Sequence, residues 1–190
     1  SAGNKIHALI KSVFMNQDGH TPRGIAAPNL QAQIAMHEGA LEQAGLKPED
    51  ISYIEAHGAG TALGDAVEFN ALAHIHQGRH SFENPLIIGA VKSNLGHTLA
   101  ASGMTSLIKA LKVFKRELIP PNLHFTEPNK RINPKQIPAV FPDSAQDFCY
   151  QPHRKRFIQI NNFGFTGTNA TVILEEPPRE TSREPAAESL

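Results

Sequence analysis

The sequence predicts an α/β protein in which helices flank a layered sheet of mixed direction. Helix and strand candidates alternate as far as Lys115, which is typical of parallel α/β units. Two strand candidates follow near the end of the chain, at 156–163 and 170–174, and a glycine-rich loop between them is typical of an antiparallel pair. Parallel and antiparallel connections in one domain favour a mixed sheet.

The first strand and the first helix are predicted from short local signals. Residues 5–14 partly alternate apolar and polar side chains, and the turn-forming residues 16–19 follow them. Asn29 stands where an N-cap is expected and Gly45 where a helix stops, so we predict a helix over Leu30–Ala44.

Two short apolar runs, at 51–56 and 86–91, predict buried strands. A helix is predicted between them over 65–77. Asp65 and Glu68 have the spacing of a capping box at the start of this helix.

A longer helix and a short strand are predicted next. Residues 98–115 carry apolar side chains at helical spacing, and a proline-rich stretch after them holds a strand candidate at 137–141. The apolar stripe expected to face the core consists of Leu107, Ile108, Leu111 and Phe114.

Two histidines follow the two predicted buried strands. His57 and His97 each lie in a loop with neighbouring glycines, which let the backbone pass close to a ligand. If both strands belong to one parallel sheet, both loops open at its carboxyl edge, where open α/β sheets bind ligands. We therefore expect the two imidazoles to share one substrate oxygen and to supply acid–base chemistry near neutral pH.

Three other features have both a functional and a structural explanation. Lys92 precedes His97 and can set the electrostatics of the imidazoles, although a solvated loop lysine is the simpler explanation. The turn at 164–168 can aim backbone N–H groups at an oxyanion, although glycine-rich hairpin turns are more common. The loop at 58–64 has Leu63 where a dinucleotide fingerprint needs its third glycine, which disfavours nucleotide binding.

A metal site and a reactive thiol are both disfavoured. His74, His76 and His80 are close in sequence, but no convincing fourth ligand accompanies them, and a solvated helix end explains them better. Cys149 lies between two aromatic residues, and we interpret it as a packing residue.

Composition excludes several classes of protein. The chain has 190 residues, 18 basic and 18 acidic side chains, and zero formal net charge, which gives no reason to expect nucleic acid as a partner. No apolar run approaches the roughly 20 residues that span a bilayer, and the single cysteine fits a reducing, cytoplasmic compartment. We expect one domain over 1–176, followed by a flexible tail over 177–190.

Six motifs, in this order, carry a resemblance to a known family: Asn16-Gln17-Asp18-Gly19, Ala27-Pro28-Asn29, Glu55-Ala56-His57-Gly58-Ala59-Gly60-Thr61, Leu63-Gly64-Asp65, Lys92-Ser93-Asn94-Leu95-Gly96-His97 and Asn162-Phe163-Gly164-Phe165-Thr166-Gly167-Thr168-Asn169. With them the chain resembles the C-terminal half of a ketosynthase domain of polyketide synthases, over about 4–176. That family consists of thiolase-fold condensing enzymes, so the resemblance implies half of a thiolase-like fold.

The resemblance also implies roles for individual residues. His57 and His97 match the histidines that bind a malonyl thioester, promote loss of carbon dioxide and stabilise the enolate. Lys92 matches the lysine that supports the second histidine, and Phe165 matches a gatekeeper whose N–H helps to form the oxyanion hole. The positions expected to contact the pantetheine arm or the substrate are Thr61, Asn94, Thr166 and Thr168.

The chain also departs from the family pattern. The family's nucleophilic cysteine lies in the N-terminal half, to which these residues do not correspond, and Cys149 does not match it. Further departures are Ala59 for a threonine, Leu99 for an acidic residue, Thr166 for a glycine and Thr171 for a histidine.

These departures lead to one main expectation and two alternatives. We expect a ketosynthase-derived enzyme of polyketide biosynthesis that uses its histidine pair for isomerisation, dehydration, aldol cyclisation or decarboxylation, without condensing acyl chains alone. The alternatives are half of a split ketosynthase, which condenses only with an N-terminal half, and a non-catalytic scaffold. We expect no metal and no cofactor beyond a thioester carrier, either coenzyme A or the phosphopantetheine of an acyl carrier protein. Because half of the fold leaves an apolar face uncovered, we also expect a homodimer.

Overall fold

The computed structural model describes residues 5–20, 24 and 27–178. Most of the predicted tail therefore lies outside the described residues. The helices are α1 (Leu30–Ala44), α2 (Gly64–His76), α3 (Lys92–Leu95) and α4 (Ser102–Arg116), with single 3-10 turns at Pro48–Asp50 and Leu99–Ala101. The strands are β1 (Leu9–Gln17), β2 (Ile51–Glu55), β3 (Leu86–Gly89), β4 (Leu118–Ile119), β5 (Ala139–Val140), β6 (Gln146–Asp147), β7 (Phe157–Phe163) and β8 (Thr168–Glu175).

Six strands form one mixed sheet in the order β1-β8-β7-β2-β3-β5. The four strands from β7 to β5 run parallel, whereas β1 pairs with β8 and β8 with β7 in antiparallel fashion. The predicted mixed sheet is therefore confirmed. The two-residue strands β4 and β6 pair separately and were not predicted.

Strand β1 differs from its prediction in position. It begins at Leu9 and continues to Gln17, so the first half of the predicted turn at 16–19 is strand. The reason is tertiary, because Asn16 and Gln17 pair with Asn169 and Thr168 of β8.

Helix α1 has the predicted bounds because its ends are set locally. The Asn29 side chain accepts hydrogen bonds from the backbone N–H groups of Gln31 (3.0 Å) and Ala32 (3.4 Å). At the other end Gly45 adopts the left-handed conformation, with φ of 66°, and donates its N–H to the carbonyl of Glu42.

The predicted capping box on helix α2 is wrong. Leu63 occupies the N-cap position and makes no side-chain capping hydrogen bond. Instead, Asp65 accepts a hydrogen bond from the Gly60 N–H at 3.0 Å, and Glu68 accepts hydrogen bonds from the His57 and Gly58 N–H groups. Both carboxylates therefore bind the loop that follows β2.

The core lies on both faces of the sheet. Helices α1 and α2 cover one face with Ile34, Leu41, Phe69 and Leu72, while α4 covers the other with Val113 and Phe114. Strand β2 contributes to both clusters, so its side chains are buried on each face, as in other parallel sheets.

In helix α4 the predicted stripe is confirmed for Leu107, Leu111 and Phe114, which pack against the core, but it is wrong for Ile108. Ile108 is 52% exposed, whereas Lys109 is buried because it forms an ion pair with Glu55 beneath the helix. The predicted start of this helix is also wrong. Leu99 begins a 3-10 turn with φ of +50°, and the α-helix starts three residues later, at Ser102.

Large apolar side chains remain exposed at several places, among them helix α4 and strand β1. On α4 these are Met104 and Ile108, and on β1 they are Leu9, Ile10, Val13 and Met15. Such a face was expected for half of a fold, while the homodimer that would cover it stays a prediction. No helix among the described residues has the length and apolar character to cross a membrane.

Candidate active site

The structure brings His57 and His97 together at the carboxyl edge of the sheet. Strands β2 and β3 are parallel neighbours in register, so the loops after them open side by side. The two imidazole centroids are 5.8 Å apart, and the rings are nearly perpendicular, at 81°. This is the proximity that the sequence predicted.

His57 is half-buried and its ring orientation is fixed. Its Nδ1 atom accepts a hydrogen bond from the Phe163 backbone N–H at 3.2 Å, and the Phe163 ring lies against it with centroids 5.3 Å apart. Burial lowers the pKa of His57 to about 4, with smaller contributions from the charges of Lys92 and His97. At pH 7 the ring is neutral, and because Nδ1 accepts, its proton is on Nε2.

His97 is exposed but is held in a similar way. Its Nδ1 atom accepts a hydrogen bond from the Leu99 backbone N–H at 3.0 Å and lies 3.1 Å from the Ser102 hydroxyl. In its neutral form this ring also carries its proton on Nε2. The pair can therefore present two Nε2–H donors at one edge of the sheet.

The charge of Lys92 acts on His57, and Lys92 lines one cavity with His97, but its side chain has no hydrogen-bond acceptor among the described residues. Its Nζ atom is buried and has no such partner within the described part of the chain. Burial lowers the pKa of Lys92, while the carboxylates of Glu68, Glu55 and Asp65 act in the opposite direction.

Glu68 holds the His57 loop. Its buried carboxylate accepts hydrogen bonds from the backbone N–H groups of His57 (2.8 Å) and Gly58 (2.9 Å) and from the Asn161 side chain (3.3 Å). Burial raises the pKa of Glu68, and these hydrogen bonds oppose the rise. Gly58 is required here, because its φ is +49° and a Cβ atom would lie 2.6 Å from that of Ala90.

Glu55 holds the loop that carries Lys92 and His97. Its buried carboxylate accepts hydrogen bonds from the Val91 N–H (2.5 Å) and the Tyr53 hydroxyl (2.6 Å), and it pairs with Lys109 Nζ at 2.8 Å. Neither this role nor that of Glu68 was predicted from the sequence. The local signals were the place of Glu55 at the start of the His57 motif and the spacing of Glu68 from Asp65.

The remaining predicted site residues are spread along the same edge. Phe165 is 82% exposed on the β7–β8 turn, beside the exposed Thr166. Thr61 accepts a hydrogen bond from the Gly64 N–H, Thr168 accepts one from the Gln17 side chain, and Asn94 donates one to the carbonyl of Pro121. Each of these hydrogen bonds joins two residues of this chain. The roles assigned to these residues in contacting the pantetheine arm or the substrate stay predictions.

Two other interpretations of single residues are wrong. Cys149 is exposed rather than packed. His76 is fully buried instead of solvated, and its Nδ1 atom lies 3.1 Å from His80 Nε2. Among the described residues, no three His, Cys, Asp or Glu side chains are grouped so that they could hold a metal ion.

A mixed sheet with a histidine after each of two neighbouring parallel strands is the arrangement expected for part of a thiolase-like fold of the ketosynthase class. Residues 7–126 match the family model of the beta-ketoacyl synthase, C-terminal domain, and the chain belongs to this family. The resemblance inferred from the sequence is thereby confirmed.

Two solved ketosynthases show the same fold. The ketosynthase from module 6 of the bacillaene synthase of Bacillus subtilis 168 is 34% identical, with a TM-score of 0.85, and the match covers 92% of this chain and 31% of that one. The ketosynthase domain OzmH KS7 for oxazolomycin, from Streptomyces albus JA3453, is 35% identical, with a TM-score of 0.85 and 96% and 33% coverage.

Curated relatives are much longer proteins. The chain is 41% identical over 175 residues to the highly reducing polyketide synthase poxF of Penicillium oxalicum, and 41% identical over 178 residues to azaB of Aspergillus niger. These matches cover 92% and 94% of this chain but only 7% of each relative. The chain thus spans about a third of the solved ketosynthases and a small part of these synthases.

Proposed function

We propose that this chain supplies the histidine pair of a polyketide-type ketosynthase, and that the pair binds a malonyl-type thioester and stabilises the enolate formed by decarboxylation. One observation carries the proposal. The ring centroids of His57 and His97 lie 5.8 Å apart, and the Nδ1 atom of each ring accepts a backbone N–H, so the neutral form of each ring carries its proton on Nε2. Two such donors fit one thioester oxygen.

The proposed step is decarboxylation without a covalent intermediate. The bond between Cα and the carboxylate carbon breaks, and carbon dioxide leaves. The electron pair of that bond stays with Cα and forms the enolate. The negative charge develops on the thioester oxygen, which accepts hydrogen bonds from both Nε2–H groups. Cα then takes a proton from water to give the acetyl thioester, and the hydroxide left behind combines with carbon dioxide as bicarbonate.

The pKa of His57 favours this step over the others expected from the sequence. Isomerisation, dehydration and aldol cyclisation need a base that removes a proton beside a carbonyl. With a pKa of about 4, His57 is a weak base near neutral pH. Decarboxylation needs hydrogen-bond donors and no proton abstraction, so it matches what this ring can do.

Condensation requires a thiol from another polypeptide segment. Cys149 lines a small cavity with Ser52 and Pro85, at the amino ends of β2 and β3, whereas both histidines follow the carboxyl ends. This opposite location supports a second candidate function, in which the chain condenses acyl units only with an N-terminal ketosynthase half. There the enolate carbon attacks the acyl thioester on the partner's cysteine, and the thiolate leaves.

The proposal is tested with malonyl-N-acetylcysteamine, followed by detection of the acetyl product by mass spectrometry. We expect His57→Ala and His97→Ala each to lower the decarboxylation rate by roughly 100-fold or more, since each removes one oxyanion donor. The matched controls are His74→Ala, on the exposed side of α2, and Cys149→Ser, and both should retain the rate. Full activity in both active-site variants, or none in the wild type, contradicts the proposal for the chain alone.

The second candidate has its own experiment. Co-expression with an N-terminal half that contains the family cysteine should restore condensation of an acyl and a malonyl thioester. If no complex with such a half forms, this candidate function is wrong.

A further inference from the structure

Polar side chains in the core form a continuous series of hydrogen bonds that leads to the His57 loop. They belong to helices α1 and α2 and to strands β7 and β8, and each is at most 4% exposed. Polar groups cost stability in the core unless they are paired, so their pairing decides how each of them is oriented. In order, this buried network consists of His37, Gln159, Thr171, Asn161 and Glu68.

The amide of Gln159 determines the first two contacts of the buried network. Its nitrogen lies 2.9 Å from His37 Nδ1 and 3.0 Å from the Thr171 hydroxyl oxygen. An amide nitrogen has two hydrogens to donate and cannot accept, so the imidazole nitrogen and the hydroxyl oxygen are both acceptors here. The Thr171 hydroxyl therefore has its own hydrogen left for a further acceptor.

The Thr171 hydroxyl fixes the direction in which the Asn161 amide points. The two residues lie directly opposite each other on the antiparallel strands β7 and β8. The hydroxyl has two acceptors, the Asn161 side-chain oxygen and the Ile160 carbonyl, each at 3.0 Å. With its oxygen held there, Asn161 donates from its amide nitrogen to the Glu68 carboxylate at 3.3 Å. The reverse orientation would bring the amide oxygen against the carboxylate, where neither group has a hydrogen to donate.

Glu68 connects the buried network to the backbone of His57. Its carboxylate accepts the N–H groups of His57 at 2.8 Å and of Gly58 at 2.9 Å. The ring of His57 is held from the same strand as Asn161, because the Phe163 N–H donates to its Nδ1. Strand β7 therefore constrains both the backbone and the ring of His57, and the Asn161 contact acts on the backbone.

We propose that the Thr171 hydroxyl is a positioning group for His57. It acts by holding the Asn161 amide on the Glu68 carboxylate. The inference rests on the proposed function, because it gives Thr171 a part in placing the Nε2–H donor of His57 at the thioester oxygen. With valine at position 171, the Asn161 oxygen loses its side-chain donor in a buried site, so its amide is no longer held on Glu68.

Amide hydrogen exchange of the full chain, measured by NMR, tests the inference independently of activity. In Thr171→Val we expect the His57 and Gly58 amides to exchange about tenfold faster, the effect of one lost hydrogen bond. Core amides of α4, those of Ala110 and Val113, report global stability, so the two exchange rates are compared as a ratio. Thr171→Ser keeps the hydroxyl and should restore the wild-type ratio.

Ser12→Ala is the matched control, because it removes another buried hydroxyl from the same sheet. Ser12 pairs with Ile173 of β8, and its hydroxyl has no hydrogen-bond partner within the described ranges. Its exchange ratio and its decarboxylation rate should equal those of the wild type. Circular dichroism checks the folding of each variant, and Thr171→Ala replaces the valine variant if that one does not fold.

Decarboxylation of the malonyl probe provides the second measurement. Thr171→Val should lower kcat by about tenfold, and Thr171→Ser should restore it, because the hydroxyl and not the methyl group positions the donor. The inference is wrong if the exchange ratio does not rise in Thr171→Val, if Thr171→Ser behaves like the valine variant, or if kcat is unchanged although the ratio has risen. A wild type that does not decarboxylate, with the expected exchange ratios, instead overturns the proposed function and leaves Thr171 as the residue that holds the His57 loop.

Discussion

The buried ion pair between Glu55 and Lys109 predicts that two single substitutions will have unequal costs. The Glu55 carboxylate has three partners, the Val91 N–H, the Tyr53 hydroxyl and Lys109 Nζ. Lys109 has one carboxylate partner among the described residues, with the Tyr53 ring 5.7 Å from its Nζ. Removing Glu55 therefore leaves a buried cation unpaired, whereas removing Lys109 leaves a carboxylate that still accepts two hydrogen bonds.

We expect Glu55→Gln to lower the free energy of unfolding by about 3–5 kcal/mol, the usual cost of breaking a buried pair. For Lys109→Met we expect a smaller loss of about 1–2 kcal/mol, because methionine fills the site and the carboxylate keeps its other donors. The double variant should lose less than the sum of the two, because neither charge is then left alone.

Urea unfolding, monitored by circular dichroism, measures the free energy of unfolding of both single variants and of the double variant. Equal m-values show that wild type and variants expose the same surface area when they unfold. Glu38→Gln, on the exposed side of α1, is the matched control and should change stability by less than about 0.5 kcal/mol. A Glu55→Gln loss below about 1 kcal/mol, or strictly additive single effects, would show that the pair does not behave as a buried unit.

Three further predictions concern protonation and assembly. Burial lowers the pKa of His37 to about 4 and of His76 to about 3, so below pH 6.5 the unfolded chain binds more protons than the folded one. Together with His57, whose pKa burial also lowers to about 4, these histidines should lower stability by roughly 5–6 kcal/mol between pH 7 and pH 5, as measured by urea unfolding at each pH. Lys92→Met should raise the pKa of His57 measured by NMR of the ring nitrogens, because the lysine charge contributes to its low value. Finally, sedimentation should detect a homodimer at micromolar concentration, and Ile108→Lys should weaken it; a wild-type monomer contradicts this prediction.

The elements that the sequence predicted best are those whose ends are set by adjacent residues. Helix α1 matches its prediction because Asn29 and Gly45 act on their own helix. The proximity of His57 and His97 was also predictable, since parallel neighbouring strands place their following loops at one edge.

The features that were missed depend on residues far apart in the chain. Helical periodicity places Ile108 inward, but the buried carboxylate of Glu55 draws Lys109 into that layer instead. The capping-box spacing of Asp65 and Glu68 was real, yet their carboxylates bind the loop after β2 rather than the start of α2. No local pattern shows whether Ile108 or Lys109 faces the core, or whether these carboxylates cap α2 or bind the loop after β2. In each case both arrangements have the same spacing along the chain.

The histidine pair is asymmetric, and this asymmetry yields a last prediction. His57 is half-buried, whereas His97 is exposed and adjoins Leu99, a side chain that is itself 77% exposed. Met104 and Ile108 extend this uncovered apolar surface along α4. Hydrogen bonds to a developing oxyanion are stronger when water is excluded, so the donor on His97 is weakened in the chain alone.

An N-terminal half whose nucleophilic cysteine is replaced by alanine should therefore accelerate decarboxylation of the malonyl probe, because it covers this surface without adding a thiol. The acceleration should disappear in His97→Ala, since that variant lacks the donor that covering would strengthen. If the inactive half binds and the rate stays the same, exposure of His97 does not limit the reaction. In that case, water at the open edge of the sheet does not explain any difference in decarboxylation rate between this chain and a complete ketosynthase.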